Sequence, residues 1–319
     1  MRTGPKQILW LFICALLVLP AAVSQASDEI AIGVLMSDSL KATMRTLSGA
    51  DKVVSGSHPN AVFHTFLINQ SPEQDELVID SLRHIGPKLL LTIGSAATQF
   101  AKQHFADIPT VFAAVMYPEL SGFVRSASEP GGNITGASLD IPVKVQFKYF
   151  KQIVPNLKFV GVLYTDSTAS LIPPARATAW SLGLTLIAIK VSDIKELPGA
   201  LDSIASASQG IWSLADPNLF DPQTTRYILL NTMRKGIPFM GFSRHVVESG
   251  ALFALDFDYK AVGRQAGEIV NRVIEGEPPS SIHVTSADII WFHYNEKTAQ
   301  HLDVTIPPEL AAVAKEVYR

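Results

Sequence analysis

Short apolar runs alternate with longer amphipathic stretches along nearly the whole chain, and the alternation is clearest near the middle. Lys88–Ile93 (KLLLTI) is a leucine-rich run that reads as a buried strand. Gly94 breaks it, Ser95 stands where a helix N-cap belongs, and Ala96–Phe105 carries the helical pattern. A second apolar run, Thr110–Val115, follows Pro109 and ends at Met116-Tyr117-Pro118. Strand, glycine turn, helix and strand make a βαβ unit. In sheets built from such units, ligands sit beyond the carboxyl ends of the strands.

The same rhythm extends in both directions. Upstream, Glu29–Met36 and Ala61–Ile68 read as strands, with helices over Leu40–Ala50 and from Ser71-Pro72-Glu73 to Gly86. The cluster Ser37-Asp38-Ser39 is a good cap for the first of these helices. Downstream, Asn133–Ser138 is a short strand, and Pro142 opens a helix to about Ile153. The pattern then restarts. Phe159–Tyr164, Leu184–Val191, Gly210–Leu214 and Ile237–Phe242 read as strands, with helices ending at Gly183, Ala205 and Lys235 between them. Two similar α/β halves follow one another. Ala251–Phe257 is a further strand, and Val262, Ala266, Ile269, Val270 and Val273 recur at helical spacing. Ile282–Val284 and Ile289–Phe292 read as strand-like, and Thr298–Leu302 and Pro308–Val317 as short helices. This last part either continues the second half or crosses back to the first. The expected fold is α/β, with two Rossmann-like lobes of parallel sheet joined by a hinge. The expected divisions are 1–26 as a leader, 27–140 and 141–250 as the lobes, and 251–319 as hinge-crossing elements that complete them.

Composition adds two constraints. The first 26 residues carry Arg2 and Lys6, the apolar run Ile8–Leu19, Pro20, and then Ser24-Gln25-Ala26. That is the layout of a cleaved secretory signal, and the run is short for a membrane span of about 20 residues. The expected location is therefore periplasmic. The single cysteine, Cys14, lies inside this run, so a cleaved chain has neither a disulfide nor a thiol nucleophile. Losing Arg2 and Lys6 takes the formal charge from −3 to −5, mildly acidic, which disfavours nucleic acid as a partner. At 47% hydrophobic residues over 319 positions, the chain has ample core for two lobes.

Catalytic motifs were sought and not met. No G-x-S-x-G elbow, H-E-x-x-H, Walker A or G-x-G-x-x-G occurs, and the eight histidines show no ligand spacing, so neither a metal nor a cofactor is expected. Asp256 and Asp258 alternate onto one strand face and could form an acid/base couple, but hinge or surface charge is the simpler reading. What remains is a set of strand ends bearing polar and aromatic residues: Ser37, Ser95-Ala96, Tyr117, Asp166-Ser167, Asp216-Asn218 and Phe242-Ser243. Facing each other across a cleft, these would hold a small ligand. Backbone N–H groups after Ser95 and Ser167 suit an anionic group, and Tyr117, Trp212 and Phe242 suit an apolar or ring portion.

Several longer stretches carry a family resemblance: IPTVFAAVMYPELSGFV, EPGGNITGAS, VESGALFALDFDYKAVGRQAGEIVNRVIEGEPP and NEKTAQHLDVTIPPEL. Taken in order they resemble the ABC-transporter substrate-binding proteins of the tryptophan- and tyrosine-linked type, over roughly 85–319. The resemblance implies the type I periplasmic-binding-protein fold. It also implies a receptor, not an enzyme, that closes on a small molecule and presents it to a membrane permease. By the same resemblance Ser95, Ala96, Tyr117, Ser138, Asp166 and Asp216 fall where such proteins line their cleft. Two departures stand out. By the resemblance, relatives usually carry Asp before the proline where this chain has Tyr117; an aspartate there could pair with a ligand ammonium, and this chain lacks it. The first helix also lacks the usual His-Pro opening. The ligand classes left open are amino acids and aromatic compounds. The alternative outputs are docking on a membrane sensor or, with Asp256/Asp258, hydrolysis.

Overall fold

The computed structural model describes residues 29–68 and 71–319, so the predicted leader lies outside the described residues. The first sheet is built from β1 (Ile30–Met36), β2 (Ala61–Leu67), β3 (Leu89–Ile93), β4 (Thr110–Val115) and β5 (Ile134–Ser138). Its order is β2-β1-β3-β4-β5 and every pairing is parallel. Helices α1 (Lys41–Ser57), α2 (Pro72–Ile85) and α3 (Ser95–His104) make the crossovers. Strands such as β3, buried at all five positions, are covered on both faces, which is why they read as continuous apolar runs.

Helix α4 (Val143–Ile153) starts the second lobe, where Phe147, Phe150 and Ile153 enter a separate core. There follow β6 (Phe159–Tyr164), α5 (Ile172–Ser181), β7 (Thr185–Lys190), α6 (Leu197–Ala207), β8 (Gly210–Trp212), α7 (Pro222–Arg234), β9 (Phe239–Gly241), α8 (Arg244–Glu248) and β10 (Phe253–Phe257). The chain then leaves the second lobe. Helix α9 (Tyr259–Ile274) buries Val262, Ala266, Ile269 and Val270 against Ile32, Val34 and Leu91 of the first lobe. It lies so close to α1 that a Cβ on Gly263 would stand 1.9 Å from the Thr46 carbonyl oxygen, and one on Gly49 2.2 Å from that of Lys260. The chain returns to the second lobe for β11 (Ile290–Asn295), α10 (Glu296–His301), α11 (Pro308–Ala312) and β12 (Ala314–Tyr318). The second sheet is therefore β12-β11-β10-β9-β8-β6-β7, with β11 antiparallel to β10 and the other pairings parallel. Three crossings join the lobes: Leu139–Pro142, Asp258, and the stretch from Glu275 to Ile289.

Four details differ from the sequence reading. Pro308–Val317 is not one helix, because β12 pairs along β11 and takes the last residues as an edge strand. Ile282–Val284 forms no strand; the next residue, Thr285, makes a lone parallel bridge to Ala137. Asp258 lies beyond the end of β10 and is the N-cap of α9, accepting from the Lys260 amide at 2.8 Å. Ser95 is the first residue of α3, and Gly94, at φ 90°, holds the N-cap place.

Candidate functional site

A cavity of about 350 Å³ opens at the root of the seam between the lobes. The first lobe gives it Met116 and Tyr117 from the end of β4. The first crossing gives Leu139, Asp140 and Ile141, and the second lobe gives Trp212, Leu214, Phe242 and Leu255. The position follows from topology: β4, β5, β8, β9 and β10 all present their carboxyl ends here.

The β4 end is bent by two residues with positive φ. Ala114 (φ 57°) sits in a bulge where the register to β5 shifts, and Tyr117 (φ 50°) opens the turn that follows. A left-handed conformation costs a bulky residue about 1–2 kcal/mol, so other contacts must hold Tyr117 there. Its amide donates to Asp140 Oδ1 at 3.0 Å. Its phenol crosses to the second lobe, where the Ala215 amide donates to it. Burial, reinforced by the carboxylates of Asp140 and Asp216, pushes the Tyr117 hydroxyl up to about 12, so it is neutral at physiological pH.

Asp140 is the carboxylate of the cavity wall. Burial raises its pKa above the ordinary aspartate range, and the Glu119 carboxylate adds to the rise. The Tyr117 amide and the Ser138 hydroxyl act in the opposite direction. Ser138, 2% exposed, also accepts from the Asp140 amide at 2.8 Å, while its own amide donates to the Thr285 carbonyl. Strand β5 thus delivers Asp140 in a fixed orientation at the first crossing.

The opposite wall is apolar and ordered. Trp212 donates from Nε1 to Gln146 Oε1 at 2.7 Å, and Gln146 donates from Nε2 to the Ile141 carbonyl at 2.7 Å. Phe147 meets the indole edge-on at 5.1 Å between centroids. Lys144, exposed, and Thr178 stand at the rim.

The residues picked out from sequence divide into groups. Tyr117 and Phe242 line the cavity, and Ser138 supports Asp140 from behind. Ser37, Ser95 and Ala96 stand at the other strand ends of the first lobe, away from this cavity; Ser95 and Ala96 are exposed. Asp216 is 1% exposed, and its carboxylate accepts from Thr165 (amide and hydroxyl), the Thr168 hydroxyl and the Asn218 amide. Asn218 also donates to Ser167, and Asp166 pairs with Lys190 at 2.7 Å. This group therefore organises the loops after β6 and β8. Ser243 precedes α8 and borders a separate surface hollow with Phe242. Asp258 pairs with Arg45 of α1 at 3.2 Å, whose guanidinium also lies 5.8 Å from the Trp291 ring centre, across the hinge. Sequence reading passed over Asp140 and Gln146. The available signal was a carboxylate just past a strand end and just before the proline that opens a helix.

The family model described as ABC transporter substrate binding protein matches residues 64–318. A tyrosine-binding protein of Clostridioides difficile is 26% identical over 219 residues, which is 68% of this chain and 63% of that protein. The match thus spans less than two thirds of that relative's length. Among solved structures, an ABC domain in complex with L-Trp from Streptococcus pneumoniae aligns with a TM-score of 0.64 at 23% identity, covering 91% of this chain and 99% of that one. A conserved domain protein of Vibrio cholerae gives 0.63 at 25% identity, over 90% and 99%. The ligand-free, open form of a substrate binding protein with adhesive properties from Clostridium difficile gives 0.73 at 20%, over 90% and 99%. The fold is the two-lobed architecture of type I periplasmic binding proteins, as the family resemblance implied.

Proposed function

The chain belongs to the ABC transporter substrate-binding protein family, and from that membership we propose that it is an extracytoplasmic solute receptor. It closes on a small apolar ligand in the seam and presents the closed form to an ABC-type permease. The observation that carries this reading is the mixed origin of the cavity wall. Tyr117 comes from the first lobe, Asp140 from a crossing, and Trp212 and Phe242 from the second lobe. A ligand completes its contacts when both lobes face it, so its binding energy becomes a bias toward closure. The aromatic and aliphatic lining favours a ligand with a ring or branched apolar body. Relatives named for tyrosine or solved with L-Trp point to aromatic amino acids as the first class to try. Among the described residues no helix is long and apolar enough to cross a membrane.

The test is a thermal-shift panel of L-tryptophan, L-tyrosine, L-phenylalanine, their decarboxylated and deaminated analogues, nucleosides and sugars. A ligand at a hundredfold excess over its Kd adds about 2.7 kcal/mol, or roughly 5 °C or more on Tm. A shift of that size without turnover is expected for at least one aromatic compound. A flat response across the panel would contradict the reading.

A further inference from the structure

We propose that Asp140 receives a protonated nitrogen of the ligand, so that this receptor selects apolar compounds bearing an ammonium group. The inference deepens the receptor reading above and rests on it. Three observations carry it. First, Asp140 lies in the cavity wall among Met116, Leu139, Ile141 and Phe242, where a buried carboxylate without a counter-charge is costly. Second, its partners are neutral: the Tyr117 amide at 3.0 Å and the Ser138 hydroxyl orient it without cancelling its charge. Among the described residues it makes no ion pair, and the charge that acts on it is the like charge of Glu119. Third, the buried Asp216, whose charge also raises the Tyr117 hydroxyl, is itself held by neutral donors alone and offers no counter-charge. Lys144, the basic side chain of the same cavity, is exposed and forms no ion pair with Asp140, which is left without a bound counter-charge. A bound ammonium would supply that charge.

The geometry also accounts for the tyrosine at 117. The Tyr117 backbone, at φ 50°, turns its amide onto Asp140. Tyr117 is then a positioning residue, holding Asp140 from the first lobe and touching Ala215 of the second. Lys144, at the rim, is the basic side chain that could meet a carboxylate on the same ligand.

Isothermal titration of the purified protein with L-tryptophan, tryptamine and indole-3-propionate tests this. The three share the indole body and differ in the ammonium and carboxylate. L-Tryptophan or tryptamine is expected to bind at least about thirtyfold more tightly than indole-3-propionate, the lower end of what a buried charge pair contributes. Asp140→Asn should remove that preference and leave the propionate unchanged or tighter. A merely structural carboxylate predicts something else for the ligand-free variant, namely lost stability. Because the folded pKa of Asp140 is raised, its contribution to stability is full below the unfolded value of about 3.9 and is lost as pH rises through the folded value. At pH 7 the charged side chain is thus a cost, and the ligand-free Asn variant should melt no lower than the parent. Equal affinity for the propionate and L-tryptophan, or an Asn variant that binds L-tryptophan unchanged, would overturn the inference. If a neutral sugar or nucleoside binds while every indole compound fails, the receptor reading stands and the ammonium inference falls. If nothing in either panel binds, both fall.

Discussion

The two lobes share a five-stranded parallel order, to which the second adds β11 and β12, but they are packed in different ways. On the α1/α9 side of the first lobe the core is aliphatic, with Ile32, Val34, Leu89 and Leu91 facing helices that touch through glycines. In the second lobe the corresponding core is a run of rings. Phe147 meets Trp212 at 5.1 Å, Phe150 meets Phe253 at 5.2 Å, and Phe253 meets Phe292 at 6.1 Å. Small residues permit backbone contact and leave little room. Large rings leave irregular gaps at the layer edge, and the cavity lies where Trp212 ends that run of rings. Under the proposed function, the rings of the second lobe would hold the apolar body of a ligand, and Asp140 of the first crossing its polar end. That division of labour requires the lobes to meet.

The largest expected effect comes from spoiling the close packing of the first lobe. Gly263→Ala should destabilise by about 3 kcal/mol, because its Cβ meets the Thr46 backbone and neither helix can yield without leaving the sheet. Gly56→Ala on the same α1 helix has open space around it and is expected to stabilise by about 0.5–1 kcal/mol. Urea unfolding of the two variants measures the contrast, and similar values for both would dissolve it. A smaller loss is expected from the ring side. Trp212→Phe removes the donor to Gln146 and leaves its Oε1 unpaired, for about 2 kcal/mol by the same unfolding measurement, together with weaker ligand binding. If Trp212→Phe lowered stability and left affinity intact, the indole would belong to the core alone.

Much of the fold could be read from sequence because parallel, doubly covered strands advertise themselves as apolar runs, as β1, β3, β4 and β6 do. What was missed depended on partners distant in sequence. Ala314–Tyr318 has a half-exposed pattern, and becomes a strand because β11 offers it an edge. The helix α9 was placed correctly along the chain, but its lobe was undecided until Gly263 and Gly49 were seen at the α1 contact. Ser95 fits the cap consensus, yet Gly94 holds the cap place because the turn needs positive φ. Within the cavity, Tyr117 and Phe242 were found as polar or aromatic residues at strand ends. Asp140 escaped because its significance comes from the backbone of Tyr117, 23 positions earlier, and no spacing rule reports that.

The central claim is that a small molecule draws the two lobes together. Small-angle scattering of the protein alone and with a saturating concentration of the tightest binder from the thermal-shift panel tests it most directly. The account predicts a smaller radius of gyration and a shorter maximum dimension in the presence of the ligand. Superimposable curves at full occupancy would contradict it.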